Sequence, residues 1–519
     1  MSFDVKTPDS AASANEAELG EHRPSGRRDA RSFLKNSLML SAMGLMISGL
    51  GFIYRIYIAR YLQETGYGSY LFITTFITYF SVISLFGFRN VIVRQVAAER
   101  SRAGIYARVG LELRLATSLV ALLLAFVLTL VLRRTDGIEK LVFAYALSIP
   151  AVALCEILDA VFLGLEKSEY SVISATISNL LKVGVGITLI VNGYGLLAVF
   201  IVFTATSFLN AFLNWLFLRF KLQVRSSGSA GDISRLRCYV FREALPFWYL
   251  TLVSKIYYKN DILVLGWLRG DREVGIYGGA YLAIDLLLLI GGAIGNAIYP
   301  ILSRTYVQEP KRVGRYYELL SKYILLLFGP ICIFVSTVGA DLLPVVLGDS
   351  FREGIGALRV LIWMVLLETL TVASGTVLAA TCHQKKLAAI AAINATCSLV
   401  LTLILVKMFG YMGAAWATTL GAIVGLLLSS WLVSKLLSGV NLPLVLAKPV
   451  LAVCAMAVVA RNTACLGNVV GFLLAMVVYI ACILVLRVIK EEDRLIFGSL
   501  RGAIGRKDKR ENGSAVNCL

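Results

Sequence analysis

Histidine is almost missing from these 519 residues: there are two, His22 and His383. That removes the side chain most used for acid–base chemistry and transition-metal binding, so no imidazole-centred catalytic or zinc site is expected. Cysteine supplies no substitute. Nine are present, at Cys155, Cys238, Cys332, Cys382, Cys397, Cys454, Cys465, Cys482 and Cys518, without the paired spacing of a metal site or a disulfide framework. No GxxxxGK[ST] segment occurs, which excludes nucleotide hydrolysis through a phosphate-cradling loop. Charge is scarce too, at 16% of residues, where a soluble domain carries about 25%. Acids are the scarcer sign, with 32 Asp and Glu against 50 Lys and Arg.

What fills the chain instead is apolar: 58% of residues are hydrophobic and the mean hydropathy is +0.78. Apolar segments of membrane-spanning length recur from about Phe33 to Val488, separated by short, mostly basic connections. The bilayer core offers no water to backbone N–H and C=O groups, so each span must pair its own, and these runs lack strand-like alternation. The expected fold class is an all-α polytopic membrane protein. About fourteen spans are predicted, centred near Leu45, Phe76, Leu123, Val152, Val185, Phe208, Leu252, Leu288, Phe328, Leu366, Ala395, Gly421, Ala452 and Tyr479. The weakest carry charge or proline: one holds Lys255, Lys259 and Asp261, one Pro150 and one Pro330.

The first 32 residues are polar and contain no apolar signal-peptide core, so they read as a tail. Lys and Arg concentrate in alternate connections, such as Arg94 to Arg108, Lys221 to Arg242, Arg304 to Arg315 and Lys385 to Lys386, and in the last 30 residues. The positive-inside rule puts these in the cytoplasm together with both tails, of a multi-pass protein in the cytoplasmic (inner) membrane. The same asymmetry accounts for the net charge of +18 without nucleic-acid binding. The predicted organisation is a disordered tail over 1–32, spans one to six over 33–220, a cytoplasmic linker over 221–244, spans seven to twelve over 245–437, two further spans over 438–488 and a tail over 489–519.

A weak internal repeat links the two sets of six. Thr65 to Tyr70 (TGYGSY) leads into the second span and Glu273 to Tyr277 (EVGIY) into the eighth; Gly193 to Ala198 (GYGLLA) precedes the sixth and Gly410 to Ala415 (GYMGAA) the twelfth. Copies six spans apart start on the same side of the membrane, which predicts parallel repeats about an axis along its normal. Arg89 to Arg108 and Arg304 to Arg315 are expected as matching interfacial amphipathic stretches.

Further residues carry a family resemblance. Leu34-Lys35-Asn36-Ser37, Ala59-Arg60-Tyr61-Leu62, Tyr67-Gly68, Phe86-Gly87-Phe88, Asp261, Val274-Gly275-Ile276-Tyr277 and Pro300 ending the eighth span resemble, in order and spacing, the polysaccharide-transporter (oligosaccharide flippase) family. That family belongs to the multidrug/oligosaccharidyl-lipid/polysaccharide exporter superfamily, and the resemblance runs from about Ser32 to Leu437. It implies two six-helix lobes around a central cavity, with two C-terminal helices added. It also implies that an undecaprenyl-diphosphate-linked oligosaccharide crosses from inner to outer leaflet by alternating access, for lipopolysaccharide or other cell-surface polysaccharide biosynthesis. No cofactor or enzymatic step is implied.

Charges inside spans are the candidate functional residues, because each costs roughly 3 kcal/mol facing lipid at the bilayer centre and so should face a cavity or a partner. Arg55, Lys182, Lys255 and Lys259 are candidate contacts for the diphosphate, and Tyr257 and Tyr258 for sugar faces. Asp261, Asp285 and Glu368 are candidate sites for Na+ or H+ coupling, or structural ion-pair partners. Glu156 and Asp159 lie closer to the inner surface. On a continuous helix Lys255 and Lys259 share one face, with Tyr257 and Asp261 beside it. Alternatives are an ion-coupled multidrug antiporter of the same superfamily, a lipid II-type flippase, a membrane enzyme or a scaffold. An enzyme would need an outer loop to build its site, and none exceeds roughly 20 residues. Expected partners are the lipid-linked substrate, membrane lipids, and a polymerase or glycosyltransferases.

Overall fold

The computed structural model describes residues 26–132, 137–222, 230–257, 259–437, 439–463 and 468–488. Among them every regular element is helical, and nine helices are long and apolar enough to cross a membrane. The all-α polytopic expectation holds. The nine hold ten of the roughly fourteen predicted spans, because one of them, Gln384–Leu436, contains a pair; a second pair lies in a further helix. The helix α1 (Gly26–Leu85) is divided at Gln63 (φ 56, ψ −172), between the first and second predicted spans. The next elements are α2 (Phe88–Ala98), α3 (Ala103–Leu132), α4 (Ile138–Ala146), α5 (Ser148–Gly164), α6 (Ser168–Val191), α7 (Leu196–Leu216), α8 (Ala230–Tyr257) and α9 (Asn260–Leu268). After them come α10 (Asp271–Gln308), α11 (Pro310–Thr337), α12 (Leu343–Leu347), α13 (Gly354–Ala380), α14 (Gln384–Leu436), α15 (Leu442–Asn462) and α16 (Asn468–Val485).

The second divided helix is α14, where Gly410 (φ 58, ψ −136) reverses the chain, a conformation open to glycine. Gly413 faces Leu405, Gly421 faces Ser398 and Gly425 faces Asn394 at contact distance, which is the register of an antiparallel hairpin. Its repeat counterpart Gly193, between α6 and α7, also has positive φ, at 80°. Pro150 falls in the first turn of α5, where its missing N–H removes no helical hydrogen bond. Pro300 does not end its span: α10 continues to Gln308.

The stretch expected as a linker, 221–244, is helical from Ala230. Of the first amphipathic stretch, 89–98 belongs to the separate helix α2, with Phe88, Val91, Ile92 and Val96 buried and Arg89 and Arg94 exposed, while 103–108 begins α3. The second forms no helix of its own, because residues 304–315 are shared between the end of α10 and the start of α11. A finer correspondence replaces it. Glu99 (φ −132, ψ 79) and Glu309 (φ −144, ψ 74) make the same break, each N–H bonding the carbonyl four residues earlier. Each glutamate then takes an arginine three residues later, Arg102 at 3.4 Å and Arg312 at 2.6 Å.

At the opposite end of the bundle, α1 and α10 meet through the repeat motifs themselves. A Cβ on Gly68 would lie 1.7 Å from the Asp271 carbonyl oxygen, and one on Gly275 would lie 1.6 Å from that of Glu64. Each glycine therefore faces the carbonyl that precedes the other glycine by one helical turn, a reciprocal contact with local two-fold character. Ser69 Oγ donates to Asp271 Oδ2 at 2.6 Å, and Arg272 reaches Glu353 at 2.7 Å and Glu64 at 3.5 Å. The cysteine pattern predicted no disulfide framework, yet Cys382 is disulfide-bonded.

Candidate functional site

The seventh span is broken rather than continuous. The helix α8 stops at Tyr257, Lys259 adopts the left-handed conformation (φ 65, ψ 28), and α9 restarts at Asn260. The continuous helix expected to put Lys255 and Lys259 on one face is therefore not formed. Tyr258, and the side chains of Lys255 and Tyr257, lie outside the described residues. A helix interrupted at membrane depth leaves backbone groups free of the i→i−4 ladder, tolerated only where protein or a polar cavity receives them.

Such a cavity lies at the break. Its volume is about 430 Å³, and Arg55, Lys259, Asn260, Asp261, Tyr281, Asp285, Glu368, Ser398 and Thr418 line it. Five of the charged residues singled out in the sequence thus come together from five segments: α1, the Lys259 turn, α9, α10 and α13. Arg55 Nη1 bonds Asp285 Oδ2 at 2.5 Å. Asp261 is held by α9 itself and by two other helices. The Ile262 N–H donates to Oδ1 at 2.9 Å, and the Tyr277 hydroxyl donates to Oδ2 and lies 3.1 Å from Thr418 Oγ1. Lys259 Nζ sits 5.5 Å from the Tyr281 ring centroid, a cation–π distance. Glu368 makes no hydrogen bond or ion pair among the described residues and faces the cavity half-buried.

Lys182 does not join them. It sits on α6, where its ammonium donates to Asn179 Oδ1 at 2.6 Å and lies 5.3 Å from the Phe203 ring centroid. The turn-spaced Asn179 partner was legible in the sequence; the absence from the cavity was not.

Sequence reasoning missed a second polar cavity of about 420 Å³ among α1, α3, α5 and α7. Arg114, with its side chain 3% exposed, donates to Glu156 and to the Ser84 carbonyl. Asp159 accepts from Ser171 Oγ and from Asn214 Nδ2 at 3.0 Å, and Ser174 donates to Asn214. The available signal was Arg114 itself, a charge beyond the basic run ending at Arg108 and already inside the apolar segment. A buried guanidinium demands a partner, and Glu156 is the acid within reach.

These helices define a class: a multi-pass α-helical membrane protein with a charged cavity at a broken span. The chain belongs to the polysaccharide biosynthesis protein family, whose model matches residues 33–306, just over half of it. Its fold is similar to that of the lipid II flippase MurJ in an inward closed conformation, at 15% identity and a TM-score of 0.66, covering 90% of this chain and all of that one. A multidrug resistance MATE family transporter of the MOP superfamily, inward-facing, matches at 14% identity and TM-score 0.55, over 75% of this chain and 94% of that one. The eukaryotic MATE transporter AtDTX14 matches at 15% identity and TM-score 0.55, over 78% and 96%. At these identities the likeness is one of fold. No curated protein matches.

Proposed function

We propose that this protein is a flippase that moves an undecaprenyl-diphosphate-linked oligosaccharide across the cytoplasmic membrane, by alternating access, for cell-surface polysaccharide assembly. The carrying observation is the convergence of Arg55, Lys259, Asp261, Asp285 and Glu368 on one cavity at a broken helix. Lys259 brings an ammonium to the cavity, and Arg55, with one of its five donors on Asp285, brings further donors for a phosphate oxygen. Tyr281 offers a ring face to a sugar. Three carboxylates face two bases, so one bound Na+ or proton beside Glu368 would bring the site to neutrality ahead of the diphosphate. The glycine contact between α1 and α10 closes one end of the path, and the halves separate there when the cavity turns to the other leaflet. Lys and Arg placement supports both tails lying in the cytoplasm, where glycosyltransferases or a polymerase would handle the glycan. No chemical step on the substrate is required, so the protein is read as a transporter and not an enzyme.

The carboxylate excess favours a second reading, a cation-exporting antiporter. A lipid II-type cargo shares the diphosphate chemistry and differs only in its sugars. Flipping of fluorescent undecaprenyl-diphosphate oligosaccharide in proteoliposomes tests the first reading, comparing wild type with Lys259→Gln. Flipping by wild type that falls at least tenfold in the variant supports it. A wild type that moves a cationic dye and no lipid overturns it in favour of the antiporter.

A further inference from the structure

A third cavity, of about 230 Å³, opens at the arginine-rich end of the bundle, away from the charged cavity, between the start of α3 and the first turns of α8. Arg102, Ile105, Tyr106, Arg235, Leu236 and Tyr239 line it. Residues 89–108 and 235–242 hold eight arginines. Five of these form ion pairs that occupy all four glutamates in reach, Glu99, Glu112, Glu166 and Glu243. Arg235 pairs with no acid among the described residues, and Arg102 holds Glu99 only at 3.4 Å. Two guanidiniums thus face one small cavity with no carboxylate among its lining residues.

The tyrosines complete a donor set. Gln95 Nε2 donates to the Tyr239 oxygen at 2.9 Å, which leaves the Tyr239 hydroxyl proton to be given to a ligand. Tyr106 lines the same cavity. Two phenol protons and two planar guanidinium forks match the oxygens of a phosphate group, and nothing in the lining competes as an anion. Ile105 and Leu236 add an apolar floor, and the amphipathic α2 packs alongside with its arginines outward, as a helix at a membrane surface does.

We infer that this cavity is a binding site for a phosphate group, carried by an anionic phospholipid held at the membrane surface. It is separate from the transport cavity and does not rest on the transport reading. The test is native mass spectrometry of the full chain in mixed micelles of phosphatidylglycerol and phosphatidylcholine, with and without inorganic diphosphate. Arg102→Gln/Arg235→Gln should bind phosphatidylglycerol roughly thirtyfold more weakly, at about 1 kcal/mol per guanidinium and 1.4 kcal/mol per tenfold. Arg219→Gln/Arg242→Gln removes equal charge outside the cavity and should retain the lipid. Diphosphate that fails to displace the lipid supports a headgroup ligand; diphosphate that displaces it, in wild type only, assigns the same site to a soluble phosphate compound. Equal lipid loss in both double variants, or in neither, overturns the inference.

Discussion

Gly275→Ala should part α1 and α10 at the end where their backbones touch, the end proposed to close the path. The added methyl would sit 1.6 Å from the Glu64 carbonyl oxygen, against the 3.0 Å that real Cβ atoms keep, a shortfall of 1.4 Å. Glu64 O belongs to helix backbone and cannot rotate aside as a side chain would, so α1 and α10 must move apart. Alanine favours the helix over glycine by about 1 kcal/mol, so α10 itself is not weakened. Overpacking a tight contact costs roughly 1–3 kcal/mol. Charged to the closed state alone, that shifts the equilibrium between closed and open by roughly 5- to 150-fold. The assay is labelling of Ser398→Cys, a cavity-lining position, by a membrane-impermeant thiol reagent added at the Gln63 end, against the parent chain. The labelling rate should rise within that range for Gly275→Ala and stay unchanged for Gly184→Ala, whose added Cβ meets nothing within 4 Å. Gly68→Ala should reproduce the effect, and the double variant should fall short of the sum, since the first methyl has already parted the helices. An unchanged rate for both single variants would refute the reasoning.

Arg114→Met should lower stability by about 3–5 kcal/mol, because it strands Glu156, and Arg114→Met/Glu156→Leu should recover most of the loss in thermal unfolding in detergent. Arg55→Gln/Asp285→Asn should fold normally, its ion pair replaced by a neutral one, yet flip lipid-linked glycan more slowly than wild type; unimpaired flipping would remove Arg55 from the substrate path. Glu64→Gln, which removes the ion pair between α1 and α10, should raise accessibility at the Gln63 end by only about 2- to 5-fold, and 1 M salt should abolish the difference from wild type.

Much of the site was legible because an ionised group cannot face lipid: Arg55, Asp261, Asp285 and Glu368 announce themselves as charges inside apolar runs, and all four line one cavity. Lys182 obeyed the same rule and landed elsewhere, satisfied by its own helix through Asn179. The duplication was legible in Gly-Tyr motifs. Its sharper marks, the Glu99 and Glu309 breaks with arginine three residues on, were present as letters but lacked meaning until their backbone angles matched.

Sequence by itself determined that this chain is a set of membrane helices and about where along the chain they are centred. Those properties follow from local facts: twenty apolar residues span a bilayer, and in lipid each helix must pair its own backbone. Tertiary structure decided the break at Lys259, the company Asp261 keeps and the close packing of α1 on α10 at Gly68 and Gly275. Each depends on partners far along the chain: Tyr277 and Thr418 on Asp261, and the carbonyls of Glu64 and Asp271 against the two glycines. Periodicity reports which face of a helix is polar, but only packing in three dimensions determines what that face meets.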